Sequence, residues 1–112
     1  MNNHTHYIAG NWHAGEGHDI QSIDPAKKNI MWQAKSASKE QVDSAVEAAR
    51  SAFVAWSNLT FETRLDYVEK FAALLGDNKQ ALALTIAQET GKPLWETATE
   101  VGAMIGKIAL SE

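Results

Sequence analysis

Residues 88–101 read QETGKPLWETATEV. Apolar positions recur at helical spacing on both sides of this stretch, so one helix ends inside it and another begins almost at once. Gly91 stands where a helix C-terminus favours a left-handed residue, and Pro93 where a first helical position tolerates a missing N–H. The spacing therefore predicts a tight elbow. A helix stops near Thr90 and its successor starts at Pro93, with Leu94, Ala98, Val101, Met104, Ile105 and Ile108 on one face. Glu89 falls in the last turn of the first helix, where the helix dipole disfavours an anion. It needs a compensating partner.

Working back from the elbow, the preceding helix starts near Asn78 and carries Leu82, Ala83, Ile86 and Ala87. Before it, Thr60 is a candidate N-cap for a helix whose face is Phe61, Leu65, Val68, Ala72 and Leu75 and which Gly76-Asp77-Asn78 ends. Ser38-Lys39-Glu40-Gln41 fits a capping box. Val42, Ala45, Val46, Ala49, Phe53 and Trp56 then recur as the apolar face of a further helix. Residues 38–112 are thus four amphipathic helices. Residues 7–36 read as strands: YIAGNWH (7–13), HDIQSID (18–24) and IMWQA (30–34), a short antiparallel hairpin with a third strand. The first strand places Tyr7 and Trp12 on opposite faces. Gly15-Glu16-Gly17 reads as the hairpin turn; it lacks the third glycine and following helix of a dinucleotide fingerprint. The fourth helix reaches residues 109–112 with no capping glycine, proline or polar tail, which reads as a chain cut in mid-element.

The 112 residues are enough for one small domain. The composition, 45% hydrophobic and 21% charged, is that of a globular chain. Trp12, Trp32, Trp56 and Trp95 are large surfaces that favour burial. A net charge of −4 with scattered lysines argues against nucleic-acid binding. No cysteine is present, which excludes a disulfide framework, a thiolate metal site and a cysteine nucleophile in these residues. The opening MNNHTHYIAG does not read as a signal peptide, and no apolar run spans a bilayer, so a cytoplasmic, membrane-free protein is expected.

His4, His6, His13 and His18 invite a metal reading, but zinc needs convergent ligands, and two of these lie in the N-terminus while two flank a turn. Solvent-exposed histidines are the reading taken. Glu62 with Asp66, and Glu96 with Glu100, are spaced i, i+4; a solvated face and an ordinary Asp66–Lys70 pairing account for them. The residues by themselves show no active site.

Three markers, in order, make the chain from Tyr7 onward resemble the N-terminal part of the aldehyde dehydrogenase superfamily. They are a hairpin ending in Asp24-Pro25, where the family usually has Asn-Pro; the Ala48-Ala49-Arg50, Ala52-Phe53, Trp56 helix followed by Arg64; and Glu89-Thr90-Gly91-Lys92-Pro93. Within the superfamily the run from Glu89 to Ser111 is most similar to the branch that oxidises N-succinylglutamate 5-semialdehyde with NAD in bacterial arginine catabolism. The resemblance implies an α/β fold of which this chain is roughly the first quarter, the N-terminal part of the coenzyme-binding domain. In the family, a later Rossmann segment holds NAD, a cysteine attacks the aldehyde and a glutamate activates the hydrolytic water. No catalytic or cofactor-binding residue can be carried onto this chain, which is expected to be inactive alone. Its implied partners are the remainder of the same polypeptide and a small-molecule aldehyde, in a homo-oligomer. Succinate semialdehyde and betaine aldehyde remain alternative substrates, and a free-standing helical interaction module an alternative function.

Two family features map here. Many members bind a monovalent cation between the end of the hairpin and the acid of the elbow. The matching positions are Ser22 and Ile23 through their carbonyls and Glu89 through its carboxylate, the plain alternative being that Glu89 bonds backbone amides near the elbow. Met104 and Val101 match the helix lining the substrate entrance in some relatives, Val101 fitting the core better; Lys107 is a candidate attractor of a substrate carboxylate. The chain departs from the family at Ala26-Lys27-Lys28-Asn29, where Asn29 is expected to take the left-handed position.

Overall fold

The computed structural model describes residues 3–111. Its elements are β1 (His4–Ile8), β2 (Asn11–Ala14), β3 (Asp19–Ile23), β4 (Ile30–Lys35), α1 (Lys39–Ser57), α2 (Phe61–Asp77), α3 (Lys79–Thr90) and α4 (Leu94–Leu110). They divide into two units, residues 1–22 with 30–58 and residues 23–29 with 59–112.

In the first unit the strands form two separate antiparallel pairs, β1 with β2 and β3 with β4. This corrects the three-strand reading. YIAGNWH is not one strand: the chain reverses at Ala9 and Gly10, whose φ values are 52° and 83°. Tyr7 then lies directly opposite Trp12, and their rings meet edge to face with centroids 5.2 Å apart. Two residues expected on opposite faces of one strand thus form a cross-strand aromatic pair.

Gly15-Glu16-Gly17 is not a hairpin turn between paired strands either. It runs against residues 35–37: the Gly17 amide donates to the Ser36 carbonyl (2.7 Å), and the Ser36 amide donates to the His18 carbonyl (2.8 Å). The glycines serve close approach rather than reversal. A Cβ on Gly15 would overlap the Lys35 carbonyl oxygen, and one on Gly17 the Ser36 hydroxyl.

Gln41 ties this crossing to α1. Ser38 caps the helix by accepting from the Gln41 amide (3.1 Å), and the Gln41 side chain accepts back from the Ser38 amide (3.1 Å), closing the expected capping box. The same side chain also accepts from the Glu16 amide (2.9 Å) and donates to the Ala14 carbonyl (2.8 Å). It is buried. Gln41→Ala leaves those three backbone groups without this partner at once, so we expect a loss of about 2 kcal/mol, read as a lower midpoint in urea unfolding. Gln41→Glu, which keeps the acceptor and loses the donor, should recover part of it.

In the second unit α2 and α3 both pack on α4. Thr60 caps α2 by accepting from the Thr63 amide (3.2 Å), and Asn78 ends it, as its sequence predicts. Lys70 lies over the Tyr67 ring, 5.8 Å from its centroid, rather than on Asp66. Between α3 and α4 sits the core of this unit. Ala83 and Val101 are the buried apolar side chains among the described residues. Thr97, fully buried, donates its hydroxyl to the Ala83 carbonyl across the helix pair (2.8 Å).

The remaining apolar stripes are open. On α1, Val42, Val46, Phe53 and Trp56 are exposed, and on α2 Phe61 and Phe71. The four tryptophans, expected to be buried, are exposed too, Trp95 to 72%. Helix periodicity located these faces correctly and said nothing about what covers them.

The elbow and the Asp24 turn as candidate functional site

The elbow forms as its residues dictate. Gly91 terminates α3 with φ 77°, and its amide donates to the Ala87 carbonyl (2.9 Å). The Thr90 hydroxyl donates to the Ile86 carbonyl (2.7 Å) and accepts from the Lys92 amide (3.3 Å). Pro93 precedes the first residue of α4 as its N-cap, one position earlier than expected, and its carbonyl accepts from the Glu96 and Thr97 amides. Lys92 reaches over the first turns of α4 to pair with Glu100, so Glu100 belongs to the elbow and not to a merely solvated face. That hydrogen bond, reinforced by the charges of Glu100 and then Glu96, holds the Lys92 ammonium above the ordinary lysine range.

The turn that follows β3 belongs to the same unit. Asp24 is buried. One of its carboxylate oxygens accepts from the Ala26 amide (2.8 Å) and the Lys27 amide (3.0 Å), an Asx turn. Its own amide donates to the Asn29 carbonyl (3.0 Å), and its carbonyl accepts from the Lys28 amide (2.7 Å). Asn29 is not the left-handed residue; Lys28 is, with φ 60°. Closing the loop from Asp24 to Asn29 puts the reversal one residue earlier than the asparagine suggested.

The Lys27 amide bond, opposed by desolvation and helped by the Ala26 amide, keeps the Asp24 carboxyl below the usual carboxylate range. An unfolded Asp titrates near ~3.9. A depressed folded value means that the ionised group's contribution is complete above the unfolded value and is lost as the pH falls through the folded one. Asp24→Asn keeps the accepting oxygen and removes the titration. We expect the variant to be less stable than the parent chain near neutrality, where the ionised carboxylate contributes in full, and the two to converge as the pH falls below ~4, measured by urea midpoints across that range.

Turn and elbow meet through Pro25. A Cβ on Gly91 would lie 3.0 Å from the Pro25 Cγ. This contact brings the turn after Ile23 to within two residues of Glu89 along the elbow. Ile23 and Glu89 therefore share the second unit, while Ser22 is assigned to the first. Glu89 is half-buried, Ile23 exposed and Ser22 half-buried. A carboxylate and main-chain carbonyls are an oxygen-only donor set, which suits a hard cation.

On α4, Val101 is fully buried and belongs to the core; Met104 is 42% exposed. Lys107 is exposed in the last turn. Among the described residues no group of three or more histidines, cysteines and acids is placed to hold a metal ion, and no helix is long and apolar enough to cross a membrane. Sequence reasoning missed the long-range partners of Gln41, the buried Thr97 hydroxyl and the Lys92–Glu100 pair. The last was legible: a lysine in the elbow and an acid two helical turns into α4 face each other once the elbow is drawn.

The profile described as "Aldehyde dehydrogenase family" matches residues 12–111. Among solved structures, a NAD-dependent benzaldehyde dehydrogenase from Corynebacterium glutamicum superposes with a TM-score of 0.89 at 23% identity, covering 96% of this chain and 24% of that one. A point variant of betaine aldehyde dehydrogenase from Staphylococcus aureus, in complex with NAD+, gives 0.87 at 28% identity, with 95% and 22% covered. Succinate-semialdehyde dehydrogenase from Burkholderia pseudomallei gives 0.80 at 29% identity, with 86% and 20% covered. This chain spans less than a quarter of the length of each.

Proposed function

The chain belongs to the aldehyde dehydrogenase family, and from that premise we propose that it is the N-terminal scaffold of an NAD-dependent enzyme oxidising N-succinylglutamate 5-semialdehyde to N-succinylglutamate. The observation that carries the scaffold reading is the elbow: a left-handed Gly91 seated against Pro25, with Lys92 locked to Glu100. These contacts hold the corner between two helices, and the cysteine that serves the family as nucleophile is not among the chain's residues. The exposed aromatic faces of α1 and α2 support the same reading, as surfaces made to rest on further parts of one polypeptide.

The choice of aldehyde rests on the likeness of residues 89–111 to that branch. The betaine aldehyde and succinate-semialdehyde enzymes, at 28% and 29% identity, are the competing substrate readings. In the assembled enzyme, NAD and the aldehyde bind downstream residues, Met104 lies beside the substrate entrance, and the Glu89 carboxylate with the Ile23 carbonyl contributes to a monovalent-cation site. The enzyme is a cytoplasmic homo-oligomer.

The test is to express the chain together with the coding sequence that follows it, and to compare NADH formation from the three aldehydes. We expect kcat/KM to be highest with N-succinylglutamate 5-semialdehyde, and the 112-residue chain alone to be inactive. A preference for betaine aldehyde or succinate semialdehyde would overturn the substrate. Aldehyde-dependent NADH from the short chain would overturn the scaffold role.

A further inference from the structure

The reversal at Ala9 and Gly10 does something the single-strand reading could not: it sets His6 directly opposite His13 in the β1–β2 ribbon. Directly opposed residues of an antiparallel pair project from the same face, with Cβ atoms about 4.5–5.5 Å apart. Two imidazoles at that separation can share one ion.

A second observation bears on His6 itself. Its Nε2 lies 3.1 Å from the Lys35 carbonyl oxygen. A carbonyl only accepts, so Nε2 carries the proton and the neutral ring keeps its lone pair on Nδ1. Histidines that bind metals commonly hold their other nitrogen in this way, with its N–H given to a backbone carbonyl. The ring is thereby fixed in one tautomer before any ion arrives. His13, across the ribbon, is exposed. His18 is differently placed, with its Nδ1 3.2 Å from the Ser36 hydroxyl.

We propose that His6 and His13 form a two-imidazole site for a borderline divalent cation, Zn2+ or Ni2+, that clips β1 to β2. Imidazole nitrogen suits these ions better than Mg2+ or Ca2+. Two protein ligands leave the other coordination positions to water, so the ion exchanges readily. Its effect is on the ribbon: an ion bound to the paired strands, and not to the unfolded chain, stabilises the pairing.

The test is a titration of the full chain with Zn2+ alone, following the imidazole nitrogens and backbone amides by NMR. We expect the His6 and His13 resonances to shift together and to saturate at one ion per chain. His13→Ala should weaken binding by at least about tenfold; because His13 is exposed, the Tyr7–Trp12 ring contact should survive and report an intact ribbon. His6→Ala should act alike. His18→Ala should leave the affinity unchanged, and Mg2+ should produce no shift. Equal responses from all histidines, or a His13 response that persists in His6→Ala, would overturn the site.

Discussion

Gly15→Ala is expected to be the most damaging single-methyl change in the first unit, destabilising it by about 3 kcal/mol, at the upper end of overpacking costs. The reason is proximity and not backbone freedom. A Cβ at Gly15 would overlap the Lys35 carbonyl oxygen and come within 2.5 Å of the Ser36 carbonyl oxygen and 2.6 Å of the Lys35 carbonyl carbon. All three are main-chain atoms, which no rotamer change can move. The backbone there is pinned from several sides: by the Gly17–Ser36 and Ser36–His18 hydrogen bonds, and by the Gln41 side chain on Ala14 and Glu16. Relieving the overlap means breaking some of these. Gly10→Ala is the control. Gly10 has φ 83° but nothing within 4 Å of its missing Cβ, so its cost is the left-handed backbone alone, about 1–2 kcal/mol. Urea unfolding of the two variants gives the comparison. If Gly10→Ala proved the worse of the two, the close approach of residues 15–17 to residues 35–37 would be wrong.

That contrast shows where the sequence was legible. Cap chemistry is local, and it was read correctly at Ser38, Thr60 and Gly91, because each bonds a backbone group three or four residues away. The strand layout failed for the complementary reason. Ala9 carries no turn signal, yet it takes a positive φ beside Gly10, while Gly15 and Gly17, which do look like turn residues, are glycines because another segment of backbone passes them. A glycine's neighbours in space are invisible in one sequence. The same gap explains Gln41: its return bond to Ser38 could be read from a four-residue motif, but its reach to Ala14 and Glu16, 27 and 25 residues away, could not. The elbow, built from consecutive residues, was legible almost whole, its Lys92–Glu100 clasp included; only the seat on Pro25, a residue far off in the chain, was not.

Gly91→Val should destabilise the second unit by about 3 kcal/mol, the sum of two separable costs. The first is conformational. Gly91 sits at φ 77°, and a left-handed backbone costs an L-residue about 1–2 kcal/mol, more when the side chain is β-branched. The second is contact, because a Cβ there lies 3.0 Å from the Pro25 Cγ before the two valine methyls are added. Asn tolerates the left-handed region, so Gly91→Asn should retain mainly the contact cost. Pro25→Ala removes the Cγ and should relieve that cost while leaving the conformational one. The double variant is therefore expected to be less destabilised than the sum of Gly91→Val and Pro25→Ala by about 1 kcal/mol, measured as urea midpoints in a double-mutant cycle. Additivity to within about 0.3–0.5 kcal/mol would mean that the Asp24 turn and the elbow do not press on each other. The proposed cation donors, Ile23 beside that turn and Glu89 beside that elbow, would then have nothing holding them in register.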